Sequence, residues 1–182
     1  MDSDRYAPHL RFPPYAFLPG TDPHPSRDPA GHSYSKEPEV HAPYVESDLW
    51  HTNTPYLLGV DLYNHGFLWE AHEAWESIWH PSKIDPLQAN HLQGLIQCAA
   101  ACLKVPMRQP KGLERLCEIG TGRLEAVARE TGGNYMGLEL IEFLMSMRTF
   151  AASTPQDTRE RPTLTLAIDG VEPPTGRIGP RP

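Results

Sequence analysis

Proline placement constrains this chain more than any other feature, because proline lacks a backbone N–H and its ring clashes with the preceding turn of a helix. Nine of the 20 prolines fall in residues 1–47, five in 48–150 and six in 151–182. Only the middle stretch can therefore be mainly helical. The chain reads as a Pro/His-rich extended arm over 1–47, a helical domain over 48–150 and a Pro-rich tail over 151–182. In that tail Thr163 to Ile168 alternates like one short strand, and a lone strand without a partner reads best as an extended clamp.

The middle stretch is punctuated as helices. Thr54-Pro55 gives a cap followed by proline at the first helical position, and Gly66 stops the run, which predicts a helix over Tyr56 to Asn64. A second helix is predicted from Phe67 to Trp79, ended by His80-Pro81. Asp85-Pro86 repeats the cap-then-proline signal and opens a third, ending near Lys104. Pro110 starts a fourth, Leu113 to Glu130, in which Gly120 and Gly122 are expected to bend or split the helix. Gly132-Gly133 breaks the chain before a fifth, Leu138 to Phe150. Short spacers make neighbouring helices antiparallel, so the fold class is all-α: a compact bundle of about five helices with an extended arm and a short extended tail.

Charge and composition exclude several classes. With 23 acidic and 16 basic residues and a net charge of -7, the chain lacks the concentrated basic surface that nucleic acid requires. No run approaches the roughly 18 to 20 apolar residues of a membrane span, and MDSDRYAPHL lacks the basic and apolar regions of a signal peptide. A cytoplasmic protein with no membrane partner is expected, its partner a small molecule or another protein. A homodimer is the assembly that a bundle of this size most readily forms. Three cysteines cannot pair completely, and Cys98 and Cys102, one turn apart in an Ala-rich helix, read as small buried residues rather than ligands.

All nine histidines lie between His9 and His91, and all four tryptophans between Trp50 and Trp79, so the first half carries the chemistry. On the second helix, Phe67, Leu68, Ala71, Ala74, Trp75 and Ile78 share one arc and form an ordinary buried stripe. The neighbouring arc holds Trp69, His72, Glu73, Glu76, Trp79 and His80, and leaves Glu70 and Ser77 pointing outward. His72 and Glu76 are i,i+4 and Glu73 and Glu76 are i,i+3, so three ionisable side chains converge. Two carboxylates this close repel unless a proton, a cation or a basic partner sits between them. One reading is a divalent metal such as zinc or manganese, with His72 and Glu76 as ligands, or a general acid–base centre built from all three. The other is an ordinary helix-surface pair, since the zincin signature needs a second His where Glu76 stands.

The third helix offers supporting groups. Leu92, Leu95, Ile96, Ala99 and Leu103 form its core stripe, and Asn90, Gln93, Gln97 and Lys104 line the adjacent arc. Gly94 with Ala99 to Ala101 permits a close partner helix, which would set Gln93 and Gln97 against the His72 patch; a solvated polar face is the alternative.

The two helices together, YNHGFLWEAHEAWESIW from Tyr63 to Trp79 and GLIQCAAACLK from Gly94 to Lys104, resemble the family catalogued as domain of unknown function 309. The resemblance spans roughly residues 54 to 150, and Asn64, Gly66, Glu70, Ala71, His72, Glu73, Glu76 and Trp79 match its pattern residue by residue. Tyr63 stands for a Phe, and Leu68 for a Tyr whose hydroxyl therefore has no counterpart here. The resemblance implies a compact all-α fold of about five helices and assigns no activity. A family pattern marked by one His and two Glu does favour a site at His72, Glu73 and Glu76.

The arm is unlike ordinary disordered filler, since residues 13–34 mix three aromatics and two histidines with their prolines. It is expected to cross the bundle. Either it brings His24, Arg27, Asp28 or His32 to the patch, or it packs over apolar surface. Function then divides into two classes. In the first, His72, Glu73 and Glu76 are the catalytic centre of a hydrolase, supported by Asn64, Glu70, Gln93 and Gln97, with Trp69 and Trp79 as dry walls. In the second, a non-catalytic interaction module uses the cluster as a buried hydrogen-bond network.

Overall fold

The computed structural model describes residues 5–34 and 42–167. Five α-helices form the body: α1 (Thr54–Asn64), α2 (Leu68–Trp79), α3 (Pro86–Leu103), α4 (Pro110–Thr131) and α5 (Leu140–Ala152). Each packs on the next in chain order, as short connections require. The proline and capping signals locate them well. Asp85 caps α3 by accepting from the N–H groups of Leu87 and Gln88 at 3.0 and 3.2 Å, and Pro55, Pro86 and Pro110 all stand in first turns. The α1 cap is Asn53 rather than Thr54; its Oδ1 accepts from the Tyr56 N–H at 3.2 Å.

Gly120 and Gly122 neither bend nor split α4, which runs unbroken for 22 residues. Gly120 serves packing. A Cβ there would lie 3.0 Å from the Gly94 carbonyl oxygen and 3.1 Å from the Cys98 nitrogen, both backbone atoms of α3. The close approach that Gly94 permits is thus made by α4, not by α2. Cys98 and Cys102 are fully buried in this layer, and burial raises both thiol pKa values, Cys102 to about 12. His91 is equally buried, held near the Tyr56 hydroxyl at 3.3 Å, and desolvation lowers its pKa to about 3.

Between α4 and α5 lies a hairpin of two-residue strands, β1 (Asn134–Tyr135) and β2 (Leu138–Glu139). Residues 138–139, expected in the fifth helix, belong to it, and the helix starts at Leu140 because the Glu139 carboxylate caps it. Both turn residues have positive φ, Met136 at 47° and Gly137 at 78°, as a tight two-residue hairpin demands. The tail does act as a clamp. Leu166 bridges Leu138, and Asn64 pairs with Leu164 through two 2.8 Å bonds, one donated and one accepted. Buried Arg161 donates to the Tyr63 and Asn64 carbonyls at the end of α1. Ile168 and the rest of the tail lie outside the described residues.

The arm crosses α1 and α2 and is held by carboxylates. Asp61 accepts from the Tyr6 and Ala7 N–H groups, both at 2.8 Å, with Arg5 Nε at 3.5 Å. Glu70 accepts from the Phe17 N–H at 2.9 Å. Among the described residues, no helix is long and apolar enough to cross a membrane.

The two α4 glycines should respond oppositely to alanine. Gly120→Ala is expected to destabilise the protein by about 1–3 kcal/mol, because backbone of α3 must move. Gly122→Ala, with nothing within 4 Å of the added carbon, is expected to stabilise it by about 0.5–1 kcal/mol. Urea unfolding of both variants measures the contrast.

Candidate functional site

The α2 periodicity places His72, Glu73 and Glu76 together. One ligand atom from each lies within 4.8 Å of the others. The Glu73 carboxylate is 3.3 Å from His72 Nδ1, and Glu76 is 3.8 Å from Nε2, so one carboxylate faces each ring nitrogen. The histidine side chain is 24% exposed and the two carboxylates 52% and 44%. The cluster is therefore at the surface, with the imidazole set back into it. Nδ1 itself is buried, with the Glu73 carboxylate 3.3 Å away.

Two effects compete at the imidazole. Partial burial lowers its pKa, but the Glu73 and Glu76 carboxylates outweigh that and leave it raised. A raised imidazole pKa stabilises the folded state fully below the ordinary value of about 6.5, and this contribution is lost as pH rises through the folded-state pKa.

The surroundings differ from the sequence reading in several places. Trp69 packs on His72, ring centroids 5.4 Å apart, as a wall. Trp79 instead carries Lys83 over its indole at 4.2 Å. Glu70 does not point into solvent. Its side chain is 7% exposed, covered by the arm, with His32 Nε2 at 3.4 Å; burial raises its pKa although the Phe17 N–H and His32 oppose this. Asn64 is tied up by the tail. Neither belongs to the cluster.

None of the four arm candidates bonds to the cluster. His32 reaches Glu70, and His24 packs edge-on against Trp69, ring centroids 5.7 Å apart. Arg27 and Asp28 are exposed, and Asp28 caps its own turn through Ala30 N–H. The arm reaches the site differently: Pro19 joins Trp69, Leu103, Met107 and Leu116 around a pocket of about 150 Å³ beside His72.

Gln93 and Gln97 make no hydrogen bond to the cluster among the described residues. Gln97 Oε1 accepts from Arg123 Nε at 3.2 Å, and Gln93 shares a cleft with Trp79. Arg123 and Lys83 were missed from sequence, since neither belongs to a motif. The only available signal was that Asn90, Gln93, Gln97 and Lys104 share one stripe of α3.

Residues 56–116 match the sequence model of the family described as Domain of unknown function (DUF309), in agreement with the resemblance of the two helical motifs, both of which fall inside that span. No curated protein and no solved structure matches the chain.

Replacing Glu73 and Glu76 together by Gln is expected to lower the His72 pKa, followed by NMR titration of its ring. The stability lost by that variant should be larger at pH 5.5 than at pH 8.5. Separately, Glu70→Ala should release the arm: amide exchange at Phe17 should rise roughly tenfold or more, as expected for losing a charged acceptor, while helical circular dichroism stays unchanged.

Proposed function

We propose that the His72, Glu73 and Glu76 cluster is a metal-binding, general acid–base centre and that the protein is a hydrolase. The observation that carries this reading is one carboxylate at each nitrogen of a half-buried imidazole. A divalent ion such as zinc or manganese fits His72 Nε2 and the Glu76 carboxylate as ligands. Glu73 then stands on the opposite side of the ring, where metal-binding histidines normally have an acceptor that fixes their tautomer.

Two protein ligands leave positions open for water and substrate, and a bound ion lowers the pKa of such a water enough to make it a nucleophile near neutral pH. The exposure of both carboxylates favours this over a buried structural network, whose members would be shielded from water. The pocket beside His72, lined by Trp69, Leu103 and Met107, suits a small apolar group of the substrate. Because the metal and a proton compete for the imidazole, occupancy should rise with pH through the raised His72 pKa.

Plasma mass spectrometry of untagged protein, purified without a metal column, tests the reading. A stoichiometric divalent metal is expected in the native protein and absent from His72→Ala. Absence from both, with the variant much less stable, would assign the cluster to structure instead.

A further inference from the structure

The groove that α2 makes with α3 has a second polar end. Trp79 lies seven residues from His72, about 10 Å along the helix axis. There Trp79, Lys83, Asn90, Gln93, Arg123 and Glu130 line a cleft of about 470 Å³. The cleft lies one helical turn beyond Glu76 and opens to solvent between α2, α3 and α4.

Arg123 is the telling residue. Its side chain is half-buried, and its neighbours are amides: Nε donates to Gln97 Oε1 at 3.2 Å and Nη1 to Asn90 Oδ1 at 2.9 Å. A guanidinium has five N–H donors in a fixed plane, so three remain. Arg148 is charge-paired with Glu125 and Arg159 with Asp157. Among the described residues, Arg123 pairs with no carboxylate. Neither does Lys83, whose ammonium lies over the Trp79 indole and 3.3 Å from His80 Nδ1. Two unpaired cations therefore face a single lining carboxylate, Glu130, in a protein of net charge -7.

Holding a partly buried guanidinium with two neutral amides orients it without neutralising it. Its remaining donors present the planar fork that matches a carboxylate or phosphate in two parallel hydrogen bonds. The volume exceeds what a bare inorganic anion fills, and Pro86, Leu87 and Ala89 give the lining an apolar share beside the Trp79 indole, over which Lys83 lies.

We propose that this cleft binds a small organic oxyanion, a carboxylate or phosphate ester bearing a flat ring. The charged end meets Arg123 and Lys83, and the ring lies against the apolar lining beside Trp79. Asn90 and Gln97 are positioning residues that aim the guanidinium. The site stands apart from the metal reading, since none of its groups is in the cluster.

Titration of the full-length protein in the presence of a chelator, followed through the Arg123 Nε–H and Trp79 indole NMR signals, tests this. Benzoate or phenyl phosphate should give saturable shifts at both signals, while benzyl alcohol should give none. Arg123→Gln should weaken binding about tenfold or more, as expected for lost charge-assisted hydrogen bonds. Lys83→Ala, at an exposed position, should weaken it in the same direction. Equal binding of benzyl alcohol would overturn the anion assignment, equal binding of inorganic phosphate and phenyl phosphate would overturn the ring assignment, and absence of saturation with every probe would overturn the site. If Arg123→Gln fails to fold, unchanged benzoate affinity in Lys83→Ala would overturn the role given to the two cations.

Discussion

The contact between Gly94 and Gly120 governs much of this molecule. Two helices can approach until backbone meets backbone only where neither carries a side chain at the crossing, and this crossing seats α4 low against α3. From that position Arg123 of α4 reaches both Asn90 and Gln97 across the surface of α3. A bulkier crossing would lift α4 and carry the guanidinium away from its amides. The polar floor of the groove between α2 and α4 is thus a consequence of packing beneath it.

The other organising device is the use of buried side-chain acceptors in place of sheet. Asp61, Asn64 and Glu70 each bond main-chain N–H groups of an extended segment. Arm and tail have few backbone partners of their own, and buried N–H groups need acceptors. Three residues of α1 and α2 supply them. The arm thereby completes the wall beside His72 with Pro19, although His24 and His32 make their contacts with Trp69 and Glu70. The carboxylates facing His72 come from its own helix.

That difference explains what could be read from sequence. The five helices were legible because proline, glycine and capping residues act on their immediate neighbours. The His72 cluster was legible for the same reason, since i,i+3 and i,i+4 spacing is local geometry. Glu70 was misread as outward-facing because the segment that buries it lies 53 and 38 residues away in sequence. Asn64 sits in a motif beside the site yet bonds a residue 100 positions downstream, a pairing no periodicity announces. The hairpin of two-residue strands is too short to leave an alternating pattern, and Arg123 becomes notable only once its lack of a carboxylate partner is seen in space.

The clamp on the end of α1 has a kinetic side. The last carbonyls of that helix wait for Arg161, and the Asn64 amide for Leu164, both some 97 to 100 residues later. During synthesis the ribosome must therefore deliver all of α2 through α5 before α1 receives its final partners. Contacts of such long sequence separation form late, because the loop they close is large. The nascent bundle spends that interval with one helix end open, and a chain stalled before Arg161 would present it to chaperones or proteases.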